Sequence, residues 1–226
     1  MVHPLAFHIP AFLALSASSP YWNGDDTKMA SSRTKVFEGL PTAGLPPRLE
    51  GWSDFERFMT TLLTAEVIST VREVWWDVRP HPNFGTVELR MCDGISSLDE
   101  IGALAALAQC VVVDLGDRID AGEPVPSVRE WVLRENKWLA ARYGLETSFL
   151  VNDQGARRPA REVIGSMVQD LAPVAKRLGC TAELNSVHDI IDRGPSYQRQ
   201  RAVVEAGGTP QDVVDLLMSD FEFETR

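Results

Sequence analysis

WWDVRPHPNFGTVELRMCD, residues 75–93, reads as two strands that each carry charge on one face. In an extended chain successive side chains point to opposite sides, so Thr86, Glu88 and Arg90 share one face and Val87, Leu89 and Met91 the other. The first strand follows the same rule, with Trp75, Asp77 and Arg79 opposite Trp76 and Val78. Side by side, the two would present two carboxylates and two guanidiniums on one surface, a set suited to anionic substrates and metal ions. Alternation alone is also what the solvated face of an antiparallel pair shows, with cross-strand ion pairs of little energetic weight. Prolines at 80 and 82 predict a connection without regular pairing between the strands. His81, between those prolines, reads either as a ligand contact or as an exposed loop histidine.

Outward from this stretch, the 226 residues are 44% hydrophobic and 24% charged, enough to bury a core as one domain over 1–226. Residues 1–94 read as its loop and strand part, and 95–226 as its mostly helical part. A net charge of −10 lacks the clustered basic field that nucleic acid or an anionic membrane requires, so any phosphate site must be local. Cys92, Cys110 and Cys180 are odd in number and far apart, without a CxxC pair or a histidine at metal-ligand spacing, which fits a reducing cytoplasm. The apolar opening HPLAFHIPAFLALSAS, residues 3–18, has no Lys or Arg before Lys28, is interrupted by Pro4 and Pro10, and is too short for a bilayer. It predicts a buried helix after Pro10, and its core-like start predicts that something N-terminal to it is missing.

Residues 16–34, SASSPYWNGDDTKMASSRT, are dense in hydroxyls around Tyr21 and Trp22, the composition of a loop that wraps a ligand or links elements. Arg33 reads as a clamp for a carboxylate or as a surface arginine. Capping boxes at Ser53/Glu56, Ser97/Glu100 and Ser127/Glu130 predict three helices, the first running to about Arg72 and the third ending at Gly144. Trp131 and Trp138, one heptad apart, predict a core stripe, while Arg134, Lys137 and Arg142 reach phosphates or face water. Helices follow over 159–178, 181–192 and 195–206, with a last one from Pro210. SYQRQR, 196–201, is too short and isolated a basic run for nucleic acid, and there is no Walker loop, GxGxxG, HExxH or GxSxG.

Five segments together resemble the type 2 glutamate–cysteine ligases, a carboxylate–amine ligase family with a glutamine-synthetase-like fold. They are HPLAFHIPAFLALSASSPYWNGDDT (3–27), ASSRT (30–34), PTAGLP (41–46), the 75–93 stretch and ENKWLAARYGLE (135–146). The resemblance implies an α+β fold in which an antiparallel curved sheet carries the site on one face and helices pack on the other. It implies ATP and Mg2+ as cofactors, glutamate or a related carboxylate and an amine such as cysteine as substrates, a cytoplasmic location, and amide formation through an acyl phosphate. By likeness Glu88 corresponds to a metal ligand, Arg90 to a phosphate or acyl-phosphate contact and Arg33 to the group that binds the amino-acid carboxylate. Asp77, Arg79 and Arg142 are further candidates for substrate or phosphate binding.

Two departures from the family pattern qualify that transfer. Lys28-Met29 stands where the family has a Gly-Tyr pair, and the family's N-terminal acidic strand motif and HxHxG-type motif have no counterpart in these 226 residues. The chain therefore reads as the C-terminal portion of such a ligase, with an incomplete sheet, half a site and an exposed sheet edge that would favour a homo-oligomer. The alternative is a catalytically inactive truncated remnant acting as a binding or structural protein.

Overall fold

The computed structural model describes residues 1–221, which form ten α-helices and three short antiparallel ribbons. The helices are α1 (Val2–Ala6), α2 (Ile9–Ser16), α3 (Ser32–Phe37), α4 (Trp52–Thr64), α5 (Leu98–Ala121), α6 (Glu130–Tyr143), α7 (Ala160–Leu178), α8 (Thr181–Arg193), α9 (Ser196–Glu205) and α10 (Pro210–Phe221). The ribbons pair β1 (Tyr21–Trp22) with β2 (Asp25–Asp26), β3 (Val78–His81) with β4 (Thr86–Leu89), and β5 (Ser148–Leu150) with β6 (Arg157–Pro159). The mixed α+β content is as expected, but the single curved sheet is not formed by the described residues. Each strand is two to four residues long and gives way to a turn, loop or helix before a third can join it.

The apolar opening is a buried helix, as its composition required, and every residue of α2 is buried. It starts before Pro10 because a proline in the first helical turn forfeits no intrahelical bond. α2 packs on α6, while α5 packs on α7 and α8. Phe12, Leu13, Leu107, Leu115, Ile164, Leu184 and Ile190 are fully buried between them, each worth roughly 1.5–3 kcal/mol of apolar burial. Val78 and Met91 enter the same core, so 1–94 and 95–221 share it. A smaller cluster of Phe55, Met59, Ile68, Val74 and Trp76 seats α4 on the approach to β3. No helix among the described residues is long and apolar enough to cross a membrane.

Several helix boundaries differ from the sequence expectation. α4 begins after Gly51 with Asp54 accepting the Glu50 N–H at 2.9 Å, and it ends at Thr64 instead of Arg72. There the chain turns through Glu66 at φ 55° so that Ile68 can reach the smaller cluster. α6 starts at Glu130 without a side-chain cap, so Ser127 is not its N-cap. Trp131 and Trp138 are 55% and 40% exposed, and the buried side of α6 is Val132, Asn136, Lys137, Leu139, Ala140 and Ala141. Heptad spacing puts two residues on one side of a helix without saying which side meets the core. One start and two stops are as expected: Ser97 Oγ caps the start of α5 by accepting the Glu100 N–H at 3.4 Å, and Gly144 (φ 56°) and Gly179 (φ 75°) follow α6 and α7.

The 16–34 segment is more structured than its composition implied. Asn23 and Gly24 (φ 50° and 89°) close the β1–β2 hairpin, and an Asn-Gly pair is a turn signal that the sequence carried openly. Nor is SYQRQR free: Arg199 pairs with Glu100 at 2.7 Å and Asp220 at 3.0 Å, and Arg201 with Asp26 at 2.9 Å.

Candidate active site

Alternation along β3 and β4 is as read from the sequence, and it puts His81, Arg79 and Asp77 on one face together with Thr86, Glu88 and Arg90. The opposite side sends Val78 and Met91 into the core, with Val87 and Leu89 half-buried against it. Pro80 and His81 lie inside β3, opposite Val87 and Thr86, contrary to the expectation that prolines would prevent pairing. The Arg90 N–H donates to the Asp77 carbonyl at 2.7 Å, and antiparallel alternation then makes Pro80–Val87 a pair that exchanges no hydrogen bonds. The missing proline N–H therefore points away from β4 and costs the ribbon nothing.

Glu88 is the hinge of the polar face. Its Oε2 accepts from Arg79 Nη2 at 2.5 Å and Nε at 3.1 Å, and its Oε1 accepts from Arg90 Nη1 at 2.7 Å. Burial pushes the Glu88 carboxyl up, but the two guanidiniums outweigh it and hold the group below the usual carboxylate range. Arg79 is almost wholly buried, and its Nη1 donates to the carbonyls of Arg72 at 2.6 Å and Val74 at 3.0 Å. Its guanidinium is thus fixed from both sides. Arg90 lies over the Trp75 ring at 5.0 Å and the Phe37 ring at 5.7 Å.

Arg33 approaches Phe37 at 5.1 Å, donates from Nη2 to the Arg90 carbonyl at 3.3 Å, and stands 3.8 Å from Asp93. Asp93, buried, accepts from Ser18 N–H at 2.9 Å, Ser19 Oγ at 2.7 Å and Ser31 Oγ at 2.8 Å, tying the 16–34 segment to the end of the ribbon. The structure thus brings Arg33, Arg79, Glu88 and Arg90 together. Arg142 stands apart from this set of contacts: its guanidinium lies over Tyr143 at 5.5 Å.

Asp77 belongs to the same face, but its carboxylate is taken by Lys137 at 2.6 Å, which also holds Glu38 at 2.8 Å. Lys137 is 3% exposed, so it neither faces water nor stands free for phosphate, as the sequence had allowed. Burial pushes the Asp77 carboxyl up against the pull of Lys137, whereas Glu38, also penalised by burial, is drawn down by Lys137 and Lys35. The signal for Lys137 was present: it sits four residues after Leu133 and four before Ala141, on the apolar stripe of α6. A lysine there demands a buried acid. Asp93 was legible only as the last residue of the quoted stretch.

Over the ribbon lies a groove of about 520 Å³ lined by Arg72, Trp75, Arg79, His81, Phe84 and the Thr86–Glu88 strand, with Arg90 at its end. Three guanidiniums face one carboxylate there, a local positive field on a chain of net charge −10. Such a site can grip an oxyanion bidentately and neutralise charge that develops on it.

A family described as "Glutamate-cysteine ligase family 2(GCS2)" matches residues 1–215, and the chain belongs to that family. A Frankia casuarinae protein named "Putative glutamate--cysteine ligase 2-1" is 55% identical over 221 residues, which cover 97% of this chain and 58% of that protein. A Thermobifida fusca relative named as glutamate–cysteine ligase 2, with the same qualifier, is 48% identical over 98% of this chain and 55% of its own length. The chain therefore spans a little over half the length of the curated relatives it matches.

Proposed function

We propose that this chain contributes the anion-binding wall of an ATP-dependent carboxylate–amine ligase that joins glutamate, or a related acid, to an amine such as cysteine. The observation that carries the reading is the Glu88 bridge, one carboxylate fixing two guanidiniums at the floor of a groove with aromatic walls. Family membership supports the reaction class. Bound ATP would supply the phosphoryl group that activates the substrate carboxylate as an acyl phosphate, leaving ADP, and the amine would then attack the acyl carbon and displace inorganic phosphate.

The chain's own residues do the positioning. Arg90, with Arg79 held rigid behind Glu88, would bind phosphoryl oxygens and meet the charge that grows on them in the transition state. Arg33, which shares the Phe37 ring with Arg90, would take the carboxylate of the amino acid. The guanidinium set fits an oxyanion, and Arg90 Nε is a buried donor without a partner. Magnesium fits less well: no three His, Cys, Asp or Glu side chains among the described residues gather to hold a metal, and Glu88 is the ligand this chain would offer.

The test is ATP-dependent formation of a glutamyl amide by the purified chain with magnesium, glutamate and cysteine. Arg90→Lys, which keeps the charge but loses the fork, should lower turnover by roughly 100-fold. A second reading, a binding or structural protein without turnover, is favoured by the fact that both Glu88 oxygens are already engaged by arginines. It is the outcome if no amide forms and Glu88→Ala changes only stability.

A further inference from the structure

The outward side of α6 carries a short stripe that reads the same in both directions. Trp131, Arg134, Glu135 and Trp138 are exposed, whereas Val132, Asn136 and Lys137 between them are buried. Positions at i, i+3, i+4 and i+7 lie on one side of a helix, about 10 Å from first to last. The stripe is therefore aromatic, charge, opposite charge, aromatic, in the pattern W-x-x-R-E-x-x-W. Single exposed apolar residues are ordinary. Here, however, Tyr143, also exposed, stands edge-on to Trp138 at 5.9 Å and extends the two indoles into an aromatic patch. Arg134 reaches back to Glu130 at 2.7 Å, but both side chains are mostly in water, where such a pair is worth little. Glu135 enters no ion pair among the described residues. Beside Trp138 opens a groove of about 530 Å³ lined by Trp138, Tyr143, Thr147, Ser148 and Arg157, in the size range of sites that take a bulky group.

A pattern with this symmetry complements itself. When two copies of α6 lie antiparallel about a two-fold axis through the midpoint of Arg134 and Glu135, position 131 meets 138 and position 134 meets 135. Trp131 of each copy then comes onto Trp138 of the other, at the groove, and each Arg134 faces the Glu135 of the other. The outer positions bring Ser127 to Arg142, so no like charges stand directly opposite. A parallel alignment would set arginine on arginine and glutamate on glutamate, and it is excluded by that repulsion. The two indoles offer roughly 200 Å² of surface per copy, so even with the charged pairs the contact falls below the roughly 1,200 Å² of a stable interface. The association is therefore weak and reversible.

We infer that the outer face of α6 is where two copies of this chain associate, antiparallel, with Trp131 as the anchor and the Arg134–Glu135 pairs setting the register. The inference does not depend on the ligase reading and uses no residue of the groove over β3 and β4. It moves self-association from the sheet edge suggested by the sequence to a helix face, and it gives the outward tryptophans of α6 a role.

Sedimentation velocity of the full chain from about 5 to 500 µM should show a reversible passage from one copy to two, with a dissociation constant of roughly 10–200 µM. Trp131→Ala should weaken it at least tenfold. Arg134→Glu alone and Glu135→Arg alone each set like charges across the axis and should do the same. Mixed in equal amounts, these two variants again oppose unlike charges at both places and should pair within about threefold of the parent constant. All three substitutions lie on exposed positions, and urea midpoints equal to the parent's confirm that the fold is kept. A chain that stays single throughout the range overturns the proposal. So does a dimer indifferent to Trp131→Ala, which would place the contact on another face, and so do charge variants that remain apart when mixed.

Discussion

Lys137 shows how much one buried residue can decide. Its ammonium holds Asp77 and Glu38 at once, at 2.6 and 2.8 Å, and thereby fastens α6 to the start of the β3–β4 ribbon and to the end of α3. Lys137→Met keeps the stem and removes the charge, leaving Asp77 buried without its counter-ion. We expect a loss on the order of 3–5 kcal/mol at pH 8, read from denaturant midpoints. The loss should shrink as the pH is lowered from 8. Asp77 is already raised by burial, so in the variant the folded state binds its proton more tightly than the unfolded state, and stability falls as pH rises through that folded value. Asp77→Asn combined with Lys137→Met should cost less than the two single changes added together, because neither partner is then left alone. Arg79→Met is a companion test at the same scale. It strips the carbonyls of Arg72 and Val74 of their donor, and we expect about 2–4 kcal/mol of destabilisation in the same measurement.

At the scale of elements, the two ends of the α2–α6 packing make separate predictions. His8 sits at the N-cap of α2, where burial, opposed by Asp114, lowers its pKa from 6.5 to about 4. Between those values the unfolded chain binds a proton that the folded chain refuses. Stability should therefore fall by about 2–3 kcal/mol as pH drops from 6.5 to 4. His8→Phe should flatten that part of a pH series of urea midpoints. Gly144 closes α6 with φ 56°, and a Cβ there would meet the Tyr197 ring 2.5–2.7 Å away. Tyr197 itself donates to the Tyr143 carbonyl at 2.9 Å and anchors α9 to the end of α6. Gly144→Ala should cost on the order of 2–4 kcal/mol, and Tyr197→Leu in the same chain should recover part of it, as followed by thermal melting.

For the whole molecule, the same helical core that seats the ribbon also shields the thiols. Burial pushes Cys92 up to about 11 and Cys110 up to about 12, the latter aided by Cys180, whose sulfur lies 3.7 Å away. Both thiols should resist a disulfide reagent at pH 8 in the native chain and react as the core unfolds. Modification rates across a urea series should therefore track the loss of helical signal, and fast modification of Cys110 without urea would contradict the packing of α5 on α8.

Much of this was legible in the residues. The alternation of TVELRM, the apolar opening, and the Gly144 and Gly179 stops follow from chain geometry within a few residues. The resemblance carried by the five segments reached the family. The sequence did not settle whether the charged face met water, because periodicity fixes which residues share a side and leaves open what lies against it. Tertiary packing made that choice by burying Asp77, Arg79 and Lys137, stationing Glu88 between two guanidiniums, and turning Trp131 and Trp138 outward. It also buried His81 beside the groove inside β3, although the prolines on either side read as loop. The reason is one of range: strand and helix patterns are set by neighbours a few residues apart, whereas Lys137 and Asp77 lie 60 residues apart in the chain and meet only once the core has closed.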